Sequence, residues 1–156
     1  MNDAITIRAA CLADTAFLVD CNAAMALETE HKLLDREVLK QGTEAVFADA
    51  QRGFYRIAER AGVAVGCLLV THEWSDWRNG DWWWIQSVYV TAEARRGGVF
   101  RALYADVARQ ARATPGVVGL RLYVENENHA AQATYAALGM RDSGYRLLET
   151  VFADPL

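Results

Sequence analysis

The chain has 156 residues, 53% of them hydrophobic and 23% charged, and a net charge of −4. That is one domain's worth of chain, burying roughly 70% of its unfolded surface, so neither a disulfide nor a structural metal is needed for folding. The acidic balance excludes a protein that grips nucleic acid through a broad basic surface, while leaving room for a local basic site for a phosphorylated ligand.

Cys11, Cys21 and Cys67 form no C-x-x-C pair and are odd in number, which argues against a disulfide framework or a zinc site and suits a reducing compartment. The start, Met1-Asn2-Asp3, has no basic leader pattern, and no run approaches the roughly 20 apolar residues of a membrane span. The expectation is a soluble cytoplasmic protein without a membrane or nucleic-acid partner.

Ala4 to Ala10 alternates around Ile5, Ile7 and Ala9 and predicts a strand. Asp14 is placed to cap a helix with Phe17, Leu18, Cys21 and Met25 on its apolar positions, closed by the polar stretch from Glu28 to Lys32. A second helical region starts near Asp35, is interrupted at Gly42, and resumes with Thr43 as a cap. Phe54 to Arg60 and Val63 to Thr71 read as a hairpin about Ala61-Gly62. Trp82 to Val90 is apolar on both faces, the mark of a central strand covered on each side.

A helix from about Gly98 to Ala113 follows, stopped by Pro115-Gly116. Val117 to Glu125 is the next strand. Asn128 opens a helix reaching Leu138, with Gly139 as its C-terminal cap. Tyr145 to Phe152 closes the chain as a strand, and Met140 is a candidate for one more. The order β-α-α-β-β-β-α-β-α-β implies a mixed, mostly antiparallel sheet with helices on both faces.

The segment after the central strand carries the chemistry. Arg95-Arg96-Gly97-Gly98 leads straight into a helix. Glycines admit a ligand close to the backbone, a helix N-terminus offers unpaired N–H groups to a pyrophosphate, and Arg95, Arg96 and Arg101 add charged donors. An ordinary loop with solvated arginines is the competing reading. Downstream, Asn128, Ala131, Tyr135 and Leu138 share one helical face by their spacing. That face is either a ligand groove or a capped helix with Tyr135 in its core.

Together the two segments resemble the GNAT superfamily of acyl-CoA N-acyltransferases. The family's Arg/Gln-x-x-Gly-x-Gly/Ala motif aligns with Arg95 to Phe100 after Val88-x-Val90, and its Asn, Ala, Tyr and Gly-aromatic pattern aligns with Asn128, Ala131, Tyr135 and Gly139-Met140. Phe100 replaces the motif's last Gly or Ala, and Met140 replaces its usual Phe.

The resemblance implies one acyltransferase domain over residues 1–156, using acetyl-CoA and no metal. It implies a pyrophosphate on the amides of Arg96, Gly97, Gly98, Val99, Phe100 and Arg101. The pantetheine would run beside Val88 and Val90, the Val88 N–H polarising the thioester carbonyl. Tyr135 would serve as general acid to the leaving thiolate.

The acceptor, a small-molecule or peptide amine, is not named by the sequence, nor is the general base. Glu28 and Glu30 follow the first helix, where family members often line the acceptor site; a solvated helix end is the alternative. All five tryptophans fall between Trp74 and Trp84, and Trp82 and Trp84 share a face. They could wall an acceptor pocket, fill a core or form a homodimer contact. A non-catalytic acyl-CoA-binding or sensing module is the rival function. A nucleotide-binding protein is a third, which lacks a Walker lysine and G-x-G-x-x-G.

Overall fold

The computed structural model describes residues 4–153. They form two compact units, one running to Leu122 and the other starting at Tyr123.

The first unit holds strands β1 (Ile5–Ala9), β2 (Phe54–Arg60), β3 (Val63–Ser75), β4 (Gly80–Val90) and β5 (Val117–Leu122), and helices α1 (Thr15–Glu30), α2 (Arg36–Ala48) and α3 (Val99–Ala113). The strands lie in the order β1-β2-β3-β4-β5, antiparallel except for the parallel pair β4–β5. Ala61 and Gly62, both at positive φ (51° and 76°), make the two-residue turn whose twist matches a hairpin.

One sheet face is sealed by α3, whose Val99, Leu103, Val107 and Ala111 pack on Leu68, Val70 and Ile85. On the other, Leu18 and Cys21 of α1 pack with Tyr55, Ile57 and Cys67. The two-faced apolar pattern of β4 thus has the predicted cause: it is an inner strand with covered faces.

Two caps differ from expectation. Asp14 holds the N-cap position of α1 but makes no side-chain cap bond; its carboxylate pairs with the Arg8 guanidinium at 2.8 and 2.9 Å and accepts from the Cys11 N–H. The Arg8 bonds hold its pKa down at about 2. Helix α2 is capped by Asp35, which accepts from the Glu37 and Val38 N–H groups, but it runs through Gly42 unbroken. Thr43 is therefore interior, buried, and hydrogen-bonded to the Tyr55 phenol.

The second unit contains helix α4 (His129–Ala137). Gly139, at φ 89°, ends it in the left-handed conformation expected of a C-terminal glycine, and the Met140 N–H returns to the Tyr135 carbonyl. The strand expected over 145–152 does not form, nor does one at Met140. Tyr145, Leu147, Leu148, Val151 and Phe152 are all exposed. The residue pattern of a strand is present, but a strand needs a neighbour, and the segment has no ladder partner among the described residues.

Candidate active site

The site is built on the C-terminal half of β4. The β4–β5 ladder runs from Asp81↔Val117 to Ile85↔Leu122 and stops there. Beyond it, among the described residues, β4 is paired on the β3 side alone, through Ser87↔Leu69, Val88↔Leu68, Tyr89↔Cys67 and Val90↔Gly66.

The direction of the main chain follows from two bonds. The Thr91 N–H donates to the Val65 carbonyl across β3–β4 at 2.9 Å. Hydrogen-bonding sides alternate along a regular strand, so residues 87, 89 and 91 address β3, and Val88 and Val90 address the other side, while Gln86 sits at the register shift between Ile85 and Ser87. Accordingly, the Val90 carbonyl meets a side chain there, accepting from Arg95 Nε at 3.1 Å. The Val88 and Val90 N–H groups thus lie on an edge that another strand-like group can pair with.

The loop after β4 delivers the second feature. Arg96 (φ 63°) and Gly98 (φ 81°) are both left-handed, and Gly98 is the N-cap of α3 with no side-chain cap bond. The first N–H groups of α3, those of Val99 and Arg101 among them, therefore stand at the positive end of the helix dipole, where an anion is favoured. A Cβ at Gly97 would lie 3.2 Å from the Ala94 carbonyl oxygen, a tight contact, and 2.4 Å from Arg60 Nη2, the movable end of a long side chain. Arg60, whose Nη2 donates to the Gly97 carbonyl at 3.3 Å, was not legible as a loop partner from its place at the end of β2.

The arginines divide. Arg96 and Arg101 are exposed beside the loop, with no ion pair among the described residues. Arg95 is turned back: its Nη2 donates to Glu28 Oε2 at 2.7 Å, and its guanidinium lies over the Tyr89 ring at 5.4 Å. The Tyr89 hydroxyl donates to the other Glu28 oxygen at 2.9 Å. These bonds, Tyr89 first and Arg95 second, hold the Glu28 carboxyl below its ordinary range. One carboxylate thus ties the end of α1 to β4 and the loop. Nothing in the sequence signalled this contact, since Arg95 and Glu28 lie 67 positions apart.

Phe100 packs along α3 with Tyr104, ring centroids 6.3 Å apart. Glu30 pairs with Lys32 at the exposed end of α1, the solvated arrangement that the sequence also allowed. Trp84 Nε1 donates to Glu73 Oε2 at 3.2 Å, and Glu73 also binds Arg121. The Arg121 guanidinium stacks on Trp82 at 3.9 Å. Trp83 is buried against Phe54, while Trp74 and Trp77 are exposed. The tryptophans thus split between core, stacking and surface rather than forming one wall.

In the second unit, Asn128 Oδ1 accepts from the Ala131 N–H at 3.1 Å, which caps α4. Tyr135 is half-buried, and that burial pushes its phenol above the ordinary value. Among the described residues no group of His, Cys, Asp and Glu could hold a metal ion, and no helix is long and apolar enough to cross a membrane.

The family model described as acetyltransferase (GNAT) family matches residues 20–140. The chain belongs to the GNAT acetyltransferase family. A crystal structure of a possible acetyltransferase from Clostridium difficile 630 is similar at 40% identity, over 96% of this chain and 98% of that one, with a TM-score of 0.90. Two more distant structures share the fold. A ribosomal-protein-alanine N-acetyltransferase from Brucella melitensis biovar Abortus 2308 is 16% identical over 95% and 100% of the two chains, TM-score 0.74. The aminoglycoside N-acetyltransferase AAC(6')-Iy, in complex with CoA, is 17% identical over 98% of each, TM-score 0.76. No protein of curated function matches the chain. The GNAT family uses acyl-CoA, and the open β4 edge beside an uncapped helix N-terminus fits such a donor.

Proposed function

We propose that the protein transfers an acetyl group from acetyl-CoA to a primary amine by direct attack on the thioester. The observation that carries this reading is the open main-chain edge of β4 at Val88 and Val90, next to the uncapped start of α3. An amide-bearing pantetheine arm pairs with the first, and a pyrophosphate suits the second.

Acetyl-CoA supplies an activated acyl group. The chain's own residues do the rest. The Val88 N–H polarises the carbonyl and stabilises the oxyanion that forms as the C–N bond is made. The C–S bond then breaks, and the thiolate takes a proton. Tyr135 is the donor in this reading; a phenol is protonated at neutral pH, and burial shifts this one further in the same direction. The acceptor ammonium must lose a proton before attack. Glu28, kept ionised by Tyr89 and Arg95, serves as the anionic group that draws a cationic amine towards the β4 edge. Asn128 and Ala131 then act through α4, with the Asn128 cap fixing the helix that carries Tyr135.

The test mixes the protein with acetyl-CoA and a panel of polyamines, amino acids, aminoglycosides and peptide N-termini, and follows free thiol. Amine-dependent thiol release supports the transferase. CoA binding without thiol release from any amine would instead favour an acyl-CoA-binding module.

A further inference from the structure

Arg60 ends β2 with its main chain fixed on both sides, opposite Ile5 of β1 and Val63 of β3. The β1–β2 register runs without a shift from Ile5↔Arg60 to Ala9↔Arg56. Side chains alternate between the faces of a sheet, so Arg60 shares the face of Ile5 and Ala58, which pack in the core with Val99 and Leu103 of α3. That face carries its guanidinium to the loop before α3, where Nη2 donates to the Gly97 carbonyl at 3.3 Å. A strand end thus supports a loop 37 positions further along the chain.

This arginine differs from its neighbours in two ways. Arg8, Arg56 and Arg95 each end on a carboxylate, whereas Arg60 makes no ion pair among the described residues. Its Nε is also buried without a hydrogen-bond partner among them. A buried donor left unpaired is costly, and a charge without a counter-charge adds to the cost. Such a group calls for a role that offsets that cost.

The conformation of the loop supplies one. Arg96 (φ 63°) and Gly98 (φ 81°) are left-handed, and Gly97 between them is not. Changes of hand of this kind gather successive main-chain N–H groups into a concavity for an anion, and a left-handed arginine is strained. The peptide joining Gly97 to Gly98 is trans, and in a planar trans peptide the C=O and N–H point opposite ways. With the Gly97 carbonyl held towards Arg60, the Gly98 N–H is turned away from it.

We propose that Arg60 is a positioning residue for the pyrophosphate of the donor. It fixes the direction of the Gly98 N–H through the Gly97 carbonyl, and its unneutralised charge adds to the positive field at the start of α3. This rests on the acetyl-CoA reading above, and it adds a residue that lies outside the Arg95 to Phe100 motif.

The test is calorimetry with CoA on the wild type, Arg60→Gln, Gly97→Ala and the double variant. Arg60→Gln is expected to weaken CoA roughly tenfold or more, with the melting temperature little changed. Gly97→Ala places a Cβ 2.4 Å from Nη2, displaces the guanidinium and is expected to weaken CoA by a similar factor. The double variant should lose at most about twofold further, because both changes break one contact. Turnover adds a readout that general loosening of the fold would not give: the KM for acetyl-CoA rises in Arg60→Gln while kcat stays within about twofold. Penalties that multiply in full in the double variant would overturn the proposal, as would Arg60→Gln binding CoA as tightly as the wild type. Should Arg60→Gln not fold, Arg60→Lys, which keeps the charge but loses the planar fork, carries the same comparison with a smaller factor. A wild type that binds no CoA removes the acyltransferase reading together with this role for Arg60. A wild type that binds CoA beside an indifferent Arg60→Gln removes the role alone.

Discussion

Strand β4 has two halves with the same kind of sequence and different neighbours. From Asp81 to Ile85 it is paired on both sides, and Trp83 and Ile85 are buried. From Ser87 to Val90 it is paired, among the described residues, with β3 alone. Both halves are apolar, so side-chain patterning does not separate them. The difference lies in the main chain, where one half has spent all its N–H groups on the sheet and the other keeps those of Val88 and Val90. A sheet that opens beside a helix N-terminus has there the capacity to accept an extended, amide-bearing, anionic ligand.

The largest effect is expected in the closed half. Trp83→Ala, which empties a buried site against Phe54, should cost about 3–5 kcal/mol, read by urea denaturation. In the open half the main chain matters more. Val88→Pro deletes an N–H that makes no bond to β3, whereas Tyr89→Pro deletes one that does. Val88→Pro should therefore lower kcat/KM for acetyl-CoA at least tenfold, a loss of ~1.4 kcal/mol in transition-state stabilisation, with the smaller change in melting temperature. Tyr89→Pro should reverse that order. Equal behaviour of the two would break the comparison.

Tyr135→Phe should lower kcat by about 10²-fold or more, with little change in acetyl-CoA affinity, because a general acid acts on the departing thiolate. Unchanged kinetics would remove Tyr135 from the mechanism. The smallest effect concerns Asp14. Its pKa is lowered from 3.8 to about 2, chiefly by Arg8. The folded pKa lies below the unfolded one, so the stabilisation is present above pH 4 and disappears as pH falls towards 2. Asp14→Asn should destabilise by about 1 kcal/mol or less near neutrality and converge with the wild type at pH 2 in urea titrations.

What could be read from the sequence followed the range of the interaction concerned. The Ala61-Gly62 turn, the helix start near Asp35 and the Gly139 terminus depend on neighbours a few residues away, and all three formed. Thr43 was misassigned as a cap, and Asp14 holds the N-cap position of α1 without a side-chain cap bond, because their partners Tyr55 and Arg8 come from other elements. The extension of β3 to Ser75 was missed because His72 to Ser75 is largely polar and owes its strand form to register with Gly80 to Trp83. At the site, the glycine loop was visible as a motif. The turning of Arg95 from that loop towards Glu28 was not, because a motif specifies residue types and spacing but not which way a long side chain points. The last strand failed for a related reason. Its residues are those of a strand, and the partner that would make it one is not a local property.

Amide hydrogen exchange, followed residue by residue across β4 with and without CoA, tests the open edge most directly. Protection rising at Val88 and Val90 on CoA addition, while Tyr89 stays protected throughout by its bond to β3, is the predicted result. Exchange at Val88 and Val90 unchanged by saturating CoA would contradict it.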